Sequence, residues 1–452
     1  EVEHDGGRPR APDRRLGVTL GGMTRKEILR GTGGRAVLYR WNTTQGEVMR
    51  RHQRCPALLG ALLTFGLTVS LHAQDSGSTS EAAEIFESAR HNYRVVTVVE
   101  ELEYPWSMTW LPDGGMLLTE RPGRLRLVRD GFLDPTPIFG LPTVYRARGQ
   151  GGFMDVVLHP EFAQNQLLYL SYGKPNEDAS MGTTTVVRGR LDGHQVVETE
   201  EIFESDAWGG NNNHFAGRMV FDLEGYLYVA VGDRMADPGL LADHPAQDLT
   251  NHMGTIVRLH DDGSVPPDNP FVGHPSALPE IWSYGHRNIQ GLTVDPITGD
   301  VWSNEHGPRG GDELNLILPG RNYGWSVATL GVNYSGTIIT TDTHLPWIES
   351  PRFAWIPSIG TSGMMIYAGD AFPWWRGSAF VGGLVGEQLA RVTLNGHVAV
   401  SEESLVPGSV GRIRDVREGP DGFIYLALED ATRPLMKVVR LEPTETDVSP
   451  PG

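Results

Sequence analysis

The chain runs to 452 residues, room for two average domains or one large one. Its 56 Gly and 31 Pro are spread along the whole length, which speaks for many turns and against a helix-rich or coiled-coil protein. One Cys excludes an internal disulfide and a Cys-based zinc site, and a net charge of −18 argues against nucleic acid as a partner.

The charge is unevenly divided. Residues 1–73 hold 12 Lys and Arg against 6 Asp and Glu, whereas the remainder holds 26 against 50. Within the first part, Met49-Arg50-Arg51-His52-Gln53-Arg54 is a short basic start, an apolar run follows from Cys55 through Leu71, and Leu71-His72-Ala73 puts a small residue before Gln74. That order predicts a secretory signal peptide at 49–73, cleaved after Ala73, with an uncleaved anchor as the competing reading. The run falls short of the ~20 apolar residues of a membrane span. Residues 1–48 precede this start without apolar periodicity; the expectation is an over-extended gene start or a disordered extension. Residues 74–91 read as a linker. The mature chain would carry no Cys and no membrane span, which suits a periplasmic or secreted protein.

From residue 92 to 442 one unit recurs: strand, turn, strand. Trp106–Leu111 leads through Pro112-Asp113-Gly114-Gly115 to Met116–Thr119, and Phe153–Leu158 through His159-Pro160-Glu161-Phe162 to Leu167–Leu170. Gly217–Phe221 leads through Asp222-Leu223-Glu224-Gly225 to Tyr226–Ala230, and Gly291–Val294 through Asp295–Gly299 to Val301-Trp302. Met364–Tyr367 with Ala379–Val381, and Ile413–Arg417 with Phe423–Leu428, complete six copies, spaced by about 45–80 residues. A four-stranded sheet cannot bury both of its faces alone, but sheets packed in a ring bury one another. The pattern predicts an all-β, six-bladed β-propeller, with a β-sandwich as the alternative; residues 443–452 read as a tail.

Four loop segments carry chemistry. His214 and Asp233 flank the third unit, so the fold can bring them to one end of a blade, where a carboxylate would hold the His as a general base; a surface His and a turn Asp would look the same in sequence. Arg287, Asn288 and Gln290 cluster just before a strand, as donors to an anionic or carbonyl-rich ligand or as ties between blades. Asn304-Glu305-His306-Gly307-Pro308-Arg309-Gly310-Gly311-Asp312-Glu313-Leu314-Asn315 combines carboxylates with Gly-Pro backbone, a set of oxygens suited to Ca²⁺; a His/carboxylate transition-metal site competes. Arg412 and Arg414 are two apart on an extended segment and share a face, either to grip a poly-carboxylate or to pair with nearby acids.

Taken in order, Pro105-Trp106-Ser107-Met108, Gln150-Gly151-Gly152-Phe153, His214 with Gly217-Arg218, Gly232-Asp233, Tyr284-Gly285-His286-Arg287-Asn288, Glu305-His306-Gly307-Pro308 with Gly311-Asp312-Glu313-Leu314-Asn315, Asn322-Tyr323-Gly324-Trp325 and Arg412-Ile413-Arg414-Asp415 resemble the soluble PQQ-dependent sugar dehydrogenases. The set is more similar to the aldose sugar dehydrogenase branch, since His306 stands where soluble glucose dehydrogenase has Gln. The resemblance spans roughly 92–442. It implies that His214 takes the proton from the anomeric hydroxyl while hydride passes to the quinone, and that Asp233 orients His214. It further implies that Arg287 and Asn288 meet the cofactor, that Arg412 and Arg414 hold its carboxylates, and that Gln150 holds the sugar. Backbone oxygens of Gly307 and Pro308 would bind one Ca²⁺, and Glu313 and Tyr323 match a second, structural Ca²⁺ position. Partners implied are a small sugar and an electron acceptor.

One position departs from the pattern. Val385, in Gly382-Gly383-Leu384-Val385, stands where the family has a cofactor-contacting Lys, and neither Lys174 nor Lys437 lies nearby in sequence; Arg391 is the candidate to compensate. Two other functions compete: a calcium-dependent propeller lactonase using the same His and carboxylates on water, and a cofactor-free carbohydrate- or protein-binding propeller. The latter would use Trp347, Trp355, Trp374 and Trp375 as a stacking platform, if these do not simply pack between blades.

Overall fold

The computed structural model describes residues 84–145, 149–406, 408, 410–429 and 436–444. The expected signal peptide at 49–73, the extension before it, the first part of the linker and residues 445–452 lie outside these. Among the described residues no helix is long and apolar enough to cross a membrane.

Six antiparallel sheets form the six blades of a β-propeller. Every strand–turn–strand unit seen in the sequence is the inner pair of one blade. The innermost strands are Pro105–Trp110, Phe153–Leu158, Ala216–Phe221, Ile289–Val294, Thr361–Ile366 and Arg412–Glu418. Their successive residues are buried without alternation, because both faces of each sheet press on a neighbour. Outer strands such as Gln195–Glu204 and Val398–Leu405 are largely exposed.

Six clusters of the apolar core are each shared by two adjacent blades, and a seventh, smaller one joins Trp106, Tyr145, Met154 and Phe215. Leu117, Leu125, Phe153 and Leu170 join the first blade to the second. Met365, Phe380, Ile413 and Leu426 join the fifth to the sixth. The ring is closed by the N-terminal strand Tyr93–Leu102, which pairs with Met436–Pro443 in the last blade, from Tyr93 opposite Pro443 to Leu102 opposite Met436. Ile85–Phe86 adds a short outer strand to this blade, so ordered pairing begins inside the stretch read as linker.

A buried charge cluster ties the innermost strands together, with Arg218 stacked on Trp106 of a small apolar cluster. Asp155, Arg218, Asp415 and Arg417, all on innermost strands, form the charge cluster. Arg218 Nη1 lies 2.8 Å from Asp415 Oδ1, Arg417 Nη2 lies 2.9 Å from Asp155 Oδ1, and Arg417 Nε lies 3.1 Å from Asp415 Oδ2. Ser107 Oγ and the Met219 amide also donate to Asp155, and the Met108 amide donates to Asp415. Buried charges survive only when paired and hydrogen-bonded, and here four blades supply the partners.

Candidate functional site

His214 lies in the loop entering the third blade and Asp233 just beyond that blade's second strand, Leu227–Val231. The blade brings them together: His214 Nδ1 and Asp233 Oδ1 are 2.5 Å apart, and Asp233 is 1% exposed. Gly232 makes the approach possible, since a Cβ there would stand 2.2 Å from the His214 carbonyl oxygen. His214 holds the left-handed conformation, φ +54°, uncommon outside glycine. Burial drives the His214 imidazole below its usual pKa, against the pull of Asp233. Burial would raise the Asp233 carboxyl, but His214 and Arg287 outweigh it and hold it below the usual carboxylate range. The pair is therefore a neutral imidazole donating from Nδ1 to a carboxylate, with Nε2 left as a base.

Gln150 ties this pair to the next segment. Its Oε1 accepts from the His214 amide at 2.7 Å and from Asn288 Nδ2 at 3.4 Å. Arg287 follows the third blade's last strand. Its amide donates to Glu305 at 2.6 Å, and its Nη1 donates to the His306 and Gly307 carbonyls at 3.2 and 3.1 Å, while its Nε is buried without a hydrogen-bond partner. His306 donates from Nε2 to the Thr361 carbonyl, and burial lowers its pKa to about 4.

Beside them opens a cavity of about 370 Å³ lined by Arg121, Gln150, Gly307, Pro308, Val385, Arg412, Arg414 and Glu429, among others. Arg412 and Arg414 share it, as their spacing predicts. Arg414 donates to Glu429 at 2.7 Å and to Gln290 at 3.1 Å; Arg412 donates to the Leu384 carbonyl, and its Nε is buried without a partner. Arg121, absent from the sequence reading, supplies a third guanidinium, 3.4 Å from Glu429. Val385 is 72% exposed on the cavity wall. Arg391 does not compensate for it: its guanidinium is spent on Glu403, Ser378 and Thr393 in the outer part of the fifth blade.

The carboxylates of the 304–315 loop are largely committed to the protein. Glu305 accepts from His286, Arg287 and Asn315, and Asp312 accepts from the amides of Gly307, Gly360 and Thr361. Among the described residues no cluster of three or more His, Cys, Asp or Glu is arranged around a metal position. Glu313 and Tyr323 do line one small cavity, with Arg287 and Gly307. Burial, aided by Glu305, raises the Glu313 pKa to about 8. The Tyr323 hydroxyl donates to the Leu316 carbonyl and accepts from the Leu318 amide, which leaves only its backbone oxygen for a cation. Of the four tryptophans considered as a platform, Trp355 and Trp375 are buried, whereas Trp347 and Trp374 are exposed.

Two residues reach Asp233 that sequence reasoning did not single out. Trp325 Nε1 donates to Asp233 Oδ2 at 2.7 Å, and buried His244 places Nε2 3.8 Å from the same oxygen. They stand 92 and 11 residues from Asp233, separations without any local signature.

Comparison with known proteins identifies the family. Residues 102–437 match the Glucose / Sorbosone dehydrogenase family. The aldose sugar dehydrogenase YliI of Escherichia coli is 41% identical over 349 residues, covering 76% of this chain and 92% of that protein. The crystal structure of the soluble aldose sugar dehydrogenase from E. coli, in its apo form, superposes with a TM-score of 0.73 at 39% identity, over 78% of this chain and all of the other. The PQQ-bound aldose sugar dehydrogenase of Streptomyces coelicolor superposes with a TM-score of 0.63 at 27% identity, over 78% and 98% of the two chains. The chain belongs to the soluble PQQ-dependent sugar dehydrogenases, the Glucose / Sorbosone dehydrogenase family.

Proposed function

We propose that the protein is an exported PQQ-dependent dehydrogenase that oxidises aldoses at the anomeric carbon to lactones. One observation carries this reading: a neutral histidine on an ionised aspartate stands beside a cavity walled by three arginines and two buried acids, Asp312 and Glu429. The cavity suits PQQ, a planar tri-carboxylate. Arg121, Arg412 and Arg414 outnumber Glu429 and Asp312, the latter already held by three backbone amides, and Arg412 retains a buried donor without a partner. When bound, PQQ supplies the hydride acceptor. The chain supplies the rest. Gln150 orients the sugar, His214 Nε2 takes the anomeric hydroxyl proton, and Asp233 stabilises the imidazolium that results. Arg287 places fixed positive charge behind the Gly307 carbonyl, where negative charge developing in the cavity is stabilised. Asn288 stands between Gln150 and His306 to meet the cofactor.

Ca²⁺ at the Gly307 and Pro308 carbonyls fits the backbone lining of the cavity. The Gly307 oxygen keeps one lone pair after accepting from Arg287. At the second position Glu313 would ionise on meeting a cation, joined by the Tyr323 carbonyl. Export rests on the basic, apolar and small-residue order of 49–73.

The test is a PQQ titration of the apoprotein with Ca²⁺, read by absorbance and by reduction of an artificial acceptor over an aldose panel. Saturable binding and acceptor reduction are expected, and His214→Ala should lower turnover about 10²–10⁴-fold while PQQ still binds. Lactone hydrolysis without sugar oxidation would replace this reading with the lactonase.

A further inference from the structure

We propose that Trp325, with His244 packed behind it, is a positioning residue for the His214–Asp233 pair: its indole fixes the outer oxygen of Asp233 so that the inner oxygen holds His214 in the tautomer with a free Nε2. The inference rests on the reading of His214 as the base and adds to it the groups that make the base work.

The geometry is a divided carboxylate. Oδ1 of Asp233 takes His214 Nδ1 at 2.5 Å and the Met235 amide at 2.9 Å. Oδ2 takes the Trp325 indole at 2.7 Å and faces His244 Nε2 at 3.8 Å. The His244 proton is placed by the fold, because its Nδ1 accepts from the Ala246 amide at 3.2 Å, which leaves Nε2 as the N–H. The terminal torsion of an aspartate is broad, so a carboxylate held at one oxygen rotates readily, and a histidine leaning on it loses its fixed tautomer. Holding both oxygens removes that freedom.

Trp325 is itself pinned. Its amide donates to the Gly285 carbonyl at 2.8 Å, and its carbonyl accepts from Gln247 Nε2 at 2.7 Å. Its ring lies edge-on to His244, centroids 5.9 Å apart, and 5.2 Å from the Arg287 guanidinium carbon. One side chain therefore touches the aspartate, the second histidine and the arginine of the site.

The charged and titratable groups facing His214 are Asp233, Arg287, Arg234 and His306. Loss of the indole donor concentrates the Asp233 charge on His214, so the imidazolium is better stabilised and its titration midpoint moves up. The base is then also less well aimed.

The experiment compares Trp325→Phe and His244→Leu with wild type. One readout is ¹⁵N-histidine NMR of the apoprotein, which gives the tautomer and midpoint of His214. The other is steady-state sugar oxidation by the PQQ-loaded enzyme. Trp325→Phe should lower kcat about tenfold with KM within about twofold, raise the His214 midpoint and mix its tautomers. His244→Leu should act in the same direction by less. An unmoved midpoint and a single tautomer in folded Trp325→Phe would overturn the proposal, as would a rise in KM matching the fall in kcat. Should Trp325→Phe not fold, the Trp325 indole N–H resonance must shift in Asp233→Asn; no shift overturns the proposal. The NMR arm needs no sugar, so a wild type without dehydrogenase activity defeats the functional reading while this one is still judged on His214.

Discussion

Replacing Arg414 by Gln isolates the charge balance of the cavity. Arg414 Nε lies 2.7 Å from Glu429 Oε2, with both side chains nearly inaccessible, and Arg121 stands farther off at 3.4 Å. Breaking a buried pair costs ~3–5 kcal/mol, because the remaining charge is stranded. Arg121 stays and relieves part of this, so about 2–3 kcal/mol is expected for Arg414→Gln at pH 7. The pH dependence follows from Glu429. Burial would raise its pKa, but Arg414, then Arg121, outweigh burial and hold the folded value below the ordinary one. A depressed carboxyl contributes stability that is full above its unfolded pKa, near ~4.3 for Glu, and is lost as pH falls through the folded pKa. Without Arg414 much of that contribution is absent, so wild type and variant should converge on acidification. Urea unfolding of the apoprotein, followed by tryptophan fluorescence at pH 7 and near pH 4, measures both terms. Arg412→Gln is the control: it loses a single bond to the Leu384 carbonyl and should cost under about 1 kcal/mol. Both variants should weaken PQQ binding about tenfold. Equal stability of wild type and Arg414→Gln at pH 7, or a deficit identical at both pH values, would refute the stabilising pairing of Glu429 with Arg414.

Two other perturbations address separate parts of the molecule. Val385→Lys places an ammonium on the cavity wall at a position 72% exposed, so the apoprotein should keep its melting temperature while PQQ affinity rises about tenfold; unchanged affinity in a titration would place the cofactor away from residue 385. Asp155→Asn leaves Arg218 and Arg417 to share Asp415 alone in the charge cluster and should destabilise the fold by ~3–5 kcal/mol, read as a lower urea midpoint; a shift worth under about 0.5 kcal/mol would show that the clustered charges do not tie the blades together.

The six inner strand pairs were legible because local chemistry marks them: an apolar run, an acidic or proline-glycine turn, and a second apolar run. His214 and Asp233 were legible for the same reason, being placed at one blade end by a single such unit. What depended on distant pairing was not. Tyr93–Leu102 belongs to the last blade through partners more than 330 residues away, and nothing in its sequence says so. Arg121, His244 and Trp325 come to the site from three different loops. Trp325 sat within a motif that was noticed, but its indole could not be aimed at Asp233 without coordinates. The buried charge cluster did leave a trace: Asp155 interrupts the apolar strand Phe153–Leu158, and a charge inside a fully buried strand demands a partner. That backbone amides take both oxygens of Asp312 and one of Glu305 was not legible in the 304–315 sequence, because Gly360 and Thr361 reach Asp312 from another blade.

The clasp between Tyr93–Leu102 and Met436–Pro443 has a consequence for biogenesis. The strand that finishes the circle is made before all six inner strand pairs and finds its mate, Met436–Pro443, only after they have been made. Until then its edge is open, a template for mispairing and a reason for a nascent chain to need shielding. Removal of either strand therefore does not trim the fold but unbuckles it, and a nick near residue 436 should loosen the blade that carries Arg412 and Arg414.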